Sequence, residues 1–125
     1  MAKTILVVDD SAALRRVVAL ALVGAGYEVI EAGDGLDALA KTEQLAGKKI
    51  HLVISDVNMP RMDGIEFVTE LKKRVAFKFT PVIMLTTEGD DEVKNAGRAA
   101  GVKAWIIKPF NPGQMLNAVT KLILA

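Results

Sequence analysis

Short apolar runs recur along the chain, and segments with helical spacing fill the gaps between them. The pattern predicts five strands, at about 4–8, 27–31, 50–55, 81–86 and 104–107. Ile5-Leu6-Val7-Val8, Val82-Ile83-Met84-Leu85 and Trp105-Ile106-Ile107 are continuously apolar rather than alternating. A strand without a polar face is buried on both sides, which is the condition of a parallel sheet covered by helices.

The intervening segments carry the helical period. Leu14, Val17, Val18, Ala21 and Leu22 form one stripe, with Ser11 as its cap and Gly24 and Gly26 at its end. Further helices are expected at 35–46 behind an Asp34 cap, at 64–74, at 91–100, and around the stripe Met115, Leu116, Val119, Leu122 and Ile123. The fourth helix has Val93 as its only large apolar residue, so its inner face falls to Ala96, Ala99 and Ala100. It buries little and is expected to be the least firmly anchored element. Strand–helix alternation with short connections predicts a doubly wound α/β fold with right-handed crossovers and a functional crevice at the carboxyl ends of the strands.

Composition narrows this picture. A length of 125 residues suits one core, and 1–125 reads as a single domain with no second unit attached. Apolar residues make up 51% and charged ones 25%, the balance of a compact globule rather than a disordered chain. There is no cysteine, which removes disulfides and thiolate metal sites. The net charge of +1 does not point to nucleic acid. The longest uncharged apolar stretch, Val17 to Tyr27, is too short to span a bilayer. Arg15-Arg16 before it loosely imitates a secretory signal, but Asp9 and Asp10 stand where a basic segment would be needed. A cytoplasmic protein is expected.

The candidate chemistry lies at the strand ends. Asp9 and Asp10 follow the first strand and Asp56 ends the third. If these strands are parallel neighbours, three carboxylates crowd one pocket and raise each other's pKa unless a cation joins them. An all-oxygen acidic cup suits a hard divalent ion such as Mg²⁺. The fourth strand ends in Thr86 and the fifth in Lys108. Three carboxylates, a hydroxyl and an ammonium make a kit for moving a phosphoryl group onto a carboxylate. Asp56 would attack, a metal on Asp10 and Asp56 would neutralise charge, and Thr86 and Lys108 would hold the remaining oxygens.

Val8-Asp9-Asp10-Ser11, Ser55-Asp56-Val57-Asn58-Met59-Pro60, Asp63-Gly64, Leu85-Thr86-Thr87 and Trp105-Ile106-Ile107-Lys108-Pro109-Phe110 together resemble the receiver domain of response regulators, in its stand-alone, CheY-like chemotaxis form. The resemblance covers the whole chain, with five segments in order. It implies the strand order 2-1-3-4-5 of flavodoxin-like folds. It also implies a phosphorylation-activated switch of a two-component system rather than an enzyme. Asp56 would be the phosphoacceptor and a sensor histidine kinase the donor. Asp10, Asp56 and the backbone carbonyl of Asn58 would bind Mg²⁺ directly, with Asp9 acting largely through water. Thr86 and Lys108 would bind the phosphoryl group, and the Lys108–Pro109 bond would be cis. Asn58 and Glu88 would tune dephosphorylation. Trp105 stands where the family usually has Tyr or Phe, the ring that reorients with the threonine. Its indole N–H needs a partner when buried.

Each residue alone has an ordinary explanation. Asp9-Asp10-Ser11 could be a helix cap, Asp56 to Pro60 an Asx turn, Lys108 a solvated loop lysine and Thr86 a strand-end hydroxyl. Their order and placement at strand ends carry the specificity. His51 falls at the opposite end of its strand and reads as structural. Lys72-Lys73-Arg74 reads as a solvated helix end.

From Val93 onward the chain has no acid, and Lys94, Arg98, Lys103 and Lys121, with Trp105, suggest a face for an acidic, partly apolar peptide. In the family this face carries the signal, and the flagellar motor switch protein is the expected partner in chemotaxis. A phosphatase is a further expected partner, nucleic acid and membrane are not, and the protein should be a monomer. Alternatives within the family are a phosphate sink or a regulator outside chemotaxis. Two alternatives lie outside it. A haloacid-dehalogenase-type phosphohydrolase would want an Asp where Asn58 stands. A flavin or nucleotide binder would have to bring phosphate against three carboxylates.

Overall fold

The structure, a computed structural model, describes residues 2–45, 47–87 and 91–123. Five parallel strands, β1 (Thr4–Val8), β2 (Glu28–Ala32), β3 (Leu52–Asp56), β4 (Val82–Thr86) and β5 (Ala104–Ile107), form one sheet in the order β2-β1-β3-β4-β5. Helices α1 (Ala12–Gly24), α2 (Gly35–Gln44), α3 (Gly64–Lys72), α4 (Asp91–Ala100) and α5 (Pro112–Ile123) connect them. This is the doubly wound, flavodoxin-like arrangement that the apolar strands and the resemblance implied.

Period-two strand geometry divides the core into two layers. Ile5, Val7, Leu52, Ile54, Ile83 and Leu85 face α1 and α5, where Val18, Leu22, Met115 and Val119 meet them. Leu6, Val8, Val53, Val82 and Met84 face the other way, onto Ala38 of α2 and Phe67, Val68 and Leu71 of α3. Every residue of β1, β3 and β4 is buried, but β5, expected to be covered on both faces, lies at the sheet edge with only Ile106 buried and Ile107 42% exposed.

Ser11, Asp34 and Asp63 each accept a hydrogen bond from the backbone N–H three residues on, which starts α1, α2 and α3. Gly26, at φ 97°, takes the left-handed turn after α1.

Several sequence expectations shift. β2 and β3 start one to two residues later than expected, and α2 and α3 end two residues earlier. Beyond α3 the chain tightens into a 3-10 turn at Val75–Phe77. Lys72 and Arg74 are therefore not simply solvated. Lys72 Nζ donates to the carbonyl of Thr80, and Arg74 Nη1 donates to Thr42 Oγ1 at 2.5 Å. Val17 is 53% exposed because α1 centres its buried line on Leu14, Val18 and Leu22, which leaves Val17 at the edge.

α4 differs most from expectation. Ala96 and Ala99 are exposed, and the inward line is Val93, Gly97 and Ala100, with only Gly97 fully buried. The absent side chain of Gly97 makes room for the Trp105 ring, as described below.

No helix among the described residues is long and apolar enough to cross a membrane.

Candidate functional site

Strand register assembles the site. Val8 pairs with Ser55, so the residues that follow them, Asp9 and Asp56, lie side by side at the carboxyl edge. Asp56 pairs with Leu85, and Thr86, next along β4, pairs with Ile107 just before Lys108. The Lys108 N–H donates to the Thr86 carbonyl at 2.8 Å, and the Lys108–Pro109 bond is cis.

The side chains converge. Carboxylate oxygens of Asp9, Asp10 and Asp56 lie within 4.8 Å of one another. Lys108 Nζ is 3.2 Å from Asp56 Oδ1 and 3.4 Å from Asp9 Oδ2. Asp9 is buried and already engaged, since its Oδ1 also accepts the Ser11 N–H at 2.9 Å. Asp10 is exposed, and Asp56 is 5% exposed. Thr86 is fully buried at the end of β4.

Burial is the first cause that pushes the Asp56 carboxyl above its ordinary range, and the charge of Asp9 adds to it. Lys108 pulls the other way and Asp10 adds a smaller upward push. The site thus holds more negative charge than one ammonium can balance. Its donor set is entirely oxygen and open toward Asp10. Both properties fit a hard divalent cation.

The surroundings fix these groups. Arg15 Nη1 donates to the Asp9 carbonyl at 2.7 Å, while its Nε pairs with Glu31 at 3.1 Å. The loop from Val57 to Asp63, which contains Asn58, is tied down in two places. Arg61 forks onto Asp34, with Nε at 2.8 Å, and Met62 packs on Gly35. Arg61 itself has φ 66°, the left-handed region that non-glycine residues rarely adopt. Gly64 lies against the Asp56 main chain: a Cβ there would meet the Asp56 carbonyl oxygen and come within 3.0 Å of its carbon.

The structure therefore brings together Asp9, Asp10, Asp56, Thr86 and Lys108, with Asn58 on the adjoining loop. Glu88 lies outside the described residues. His51 is at the far end of the sheet, where its Nδ1 accepts the Thr4 N–H at 3.0 Å. From sequence Arg15 drew notice only in the Arg15-Arg16 pair, with no role at the site, and Arg61 drew none. The only cue to Arg15 was its place one turn into the helix after Asp9-Asp10, and nothing local marks Arg61 as left-handed.

Trp105 is half-buried, and its ring lies directly on Gly97. Its Nε1 is buried without a hydrogen-bond acceptor among the described residues. Lys94 on α4 is half-buried, while Arg98, Lys103 and Lys121 are exposed along α4, the turn before β5, and α5.

Comparison with known proteins agrees with this geometry. Residues 5–120 match the response regulator receiver domain. The chain is 40% identical over 121 residues to chemotaxis protein CheY1 of Helicobacter pylori, covering 96% of this chain and 95% of that one. It is 38% identical over 115 residues to protein PilG of Pseudomonas aeruginosa, covering 92% and 83% respectively. The crystal structure of Vibrio cholerae chemotaxis protein CheY4 superposes with a TM-score of 0.92 at 43% identity, covering 98% and 99% of the two chains. On sequence, topology and the acidic strand-end pocket alike, the chain belongs to the response regulator receiver domains, phosphorylation switches that accept a phosphoryl group rather than turn over a substrate.

Proposed function

We propose that Asp56 is the phosphoacceptor, taking its phosphoryl group from the phosphohistidine of a sensor histidine kinase. The observation that carries this reading is the convergence of Asp9, Asp10, Asp56 and Lys108 on one pocket at the strand ends. An Asp56 carboxylate oxygen attacks phosphorus, the P–N bond breaks, and its electron pair stays on the histidine nitrogen. Asp10, Asp56 and the Asn58 carbonyl would hold Mg²⁺, which when bound would supply positive charge for the phosphoryl oxygens. Asp9 acts through water, in keeping with its existing bonds to Ser11 and Lys108. Lys108 and Thr86 receive the phosphoryl oxygens, one by charge and one by its hydroxyl. Asn58 and Glu88 govern how readily water reaches the acyl phosphate.

Phosphorylation then draws Thr86 inward and biases α4 and Trp105. α4 is suited to this, since it buries only Gly97 fully. A partner that prefers the phosphorylated arrangement shifts the population toward it. Lys94, Arg98, Lys103, Trp105 and Lys121 form the face for that partner, an acidic segment of a flagellar motor switch protein. The chemotaxis proteins among the relatives favour this output. PilG, which is not named a chemotaxis protein, keeps a regulator outside chemotaxis as the second reading. The protein acts in the cytoplasm as a monomer.

The test uses Trp105, the single tryptophan. With Mg²⁺ present, acetyl phosphate should change its emission in the native protein and leave Asp56→Asn unchanged. An equal response in both proteins rejects Asp56 as the acceptor. Binding of the beryllofluoride-activated protein to a motor switch peptide separates the two outputs.

A further inference from the structure

The end of the molecule opposite Asp56 holds a cavity of about 310 Å³, framed by residues of the sheet's amino-terminal edge, the 3-10 turn and the end of α5. Its polar groups are Lys3, Lys49, His51 and Thr80, and no carboxylate lines it among the described residues. Because His51 Nδ1 accepts the Thr4 N–H, its neutral ring carries the proton on Nε2 and can only donate there. Lys3 Nζ spends one donor on the Ile123 carbonyl at 3.1 Å and keeps two. The site is therefore rich in donors and positive. Burial first, then Lys49 and Lys3, hold His51 below its ordinary pKa.

The rim is unusual in a second way. Val75 is 91% exposed and Phe79 is 87% exposed, so two large apolar side chains stand almost free of the protein that carries them. Lys78 Nζ is 5.6 Å from the centroid of the Phe79 ring. Glu28 is paired with Lys48, Glu43 with Arg74 and Glu70 with Lys73. Lys3, Lys49 and Lys78 have no carboxylate partner among the described residues. Exposed apolar groups with a charged rim mark interaction sites.

We propose that this end docks an acidic peptide segment of a partner protein, one carboxylate side chain entering the cavity toward Lys3, Lys49 and His51 while neighbouring large apolar side chains meet Val75 and Phe79 at the rim. Charge complementarity selects the acidic partner. The cavity is near the lower limit of ligand pockets, about 300 Å³, which suits a single anchoring side chain rather than a flat lipid surface. The surface lies at the other end of the sheet from Asp56. The proposal is independent of the phosphoacceptor assignment, and docking here does not require phosphorylation.

The probe is the capped peptide acetyl-Asp-Asp-Leu-Phe-Asp-Glu-amide, titrated into the full ¹⁵N-labelled chain and followed by amide chemical shifts. Shifts should cluster at His51, Val75, Ala76, Phe79 and Thr80, with equal affinity with and without beryllofluoride. Lys49→Glu and Phe79→Ser should each weaken binding by roughly tenfold while leaving the remaining spectrum native. A peptide with Ser in place of Leu and Phe should lose binding. Absence of shifts up to the solubility limit overturns the proposal, as does confinement of shifts to α4, β5 and α5. Equal binding of a Lys-for-acid peptide, or binding to phosphatidylserine vesicles in place of the peptide, also overturns it.

Discussion

Replacing Gly97 by alanine should destabilise the fold, although glycine is a poor helix residue. In an exposed helix interior the change would gain about 1 kcal/mol from propensity. Here the new Cβ would lie within 2.8 Å of Trp105 Cη2 and closer still to Cζ2, inside any real carbon–carbon contact. Such overpacking costs about 1–3 kcal/mol. The net effect should be a loss of about 0–2 kcal/mol, the difference of those two figures. Because the obstruction is the far end of one side chain, the ring yields before the helix does. The indole should therefore move toward solvent and its emission shift to longer wavelength. Urea unfolding of native, Gly97→Ala, Trp105→Ala and the double variant closes a thermodynamic cycle. Once the ring is gone, Gly97→Ala should stabilise by about 1 kcal/mol, giving a coupling of about 1–3 kcal/mol. If Gly97→Ala stabilises the native protein by the full propensity gain with unchanged emission, the ring does not rest on Gly97 and the packing of α4 is misassigned.

Asp56→Asn should stabilise the metal-free protein at neutral pH. Burial and Asp9 raise the native carboxyl, so the native state holds its proton to higher pH than the unfolded chain. Its contribution is favourable below the unfolded value of about 3.9 and is lost as pH rises through the native value. The advantage of Asn should shrink on acidification, and Mg²⁺ at about ten times its Kd should return about 1.4 kcal/mol to the native protein alone, all readable from thermal unfolding. Equal pH profiles for the two proteins would contradict this. Arg61→Ala keeps the left-handed backbone and loses the Asp34 pair, whereas Arg61→Gly relieves the backbone. The glycine variant should be the more stable of the two by about 1 kcal/mol in urea, and the reverse order would remove the strain. Gly64→Ala drives a Cβ into the Asp56 main chain, which cannot swing aside. It should cost more than about 2 kcal/mol and weaken Mg²⁺ binding, whereas a neutral outcome would show that the start of α3 is free to shift.

Much of the fold was legible because parallel sheets write themselves into sequence. Ile5 to Val8 and Val82 to Leu85 can be continuously apolar only if both faces are covered, and both core layers follow from that. Ser11, Asp34 and Asp63 act locally, within three residues, so two of these three caps were readable as caps, and Asp63 entered only through the Asp63-Gly64 motif. Element ends were less certain, since α3 stops where Lys72 turns to Thr80 in the following loop and Arg74 reaches Thr42 on α2.

The sequence by itself determined which side chains stand at strand ends, because a strand's apolar run stops where its polar residues begin. Asp9, Asp10, Asp56, Thr86 and Lys108 were identifiable from that alone, and their order carried the family. Only the tertiary structure decided how those ends meet, because register between strands is set by nonlocal packing. That packing made Asp9 a buried partner of Lys108 and left Asp10 open. It also turned α4 so that Gly97, not Ala96 or Ala99, faces inward, because a Trp105 ring fits only where no Cβ stands. The cationic cavity beside Phe79 likewise arises from segments distant in sequence, whose proximity no local pattern records.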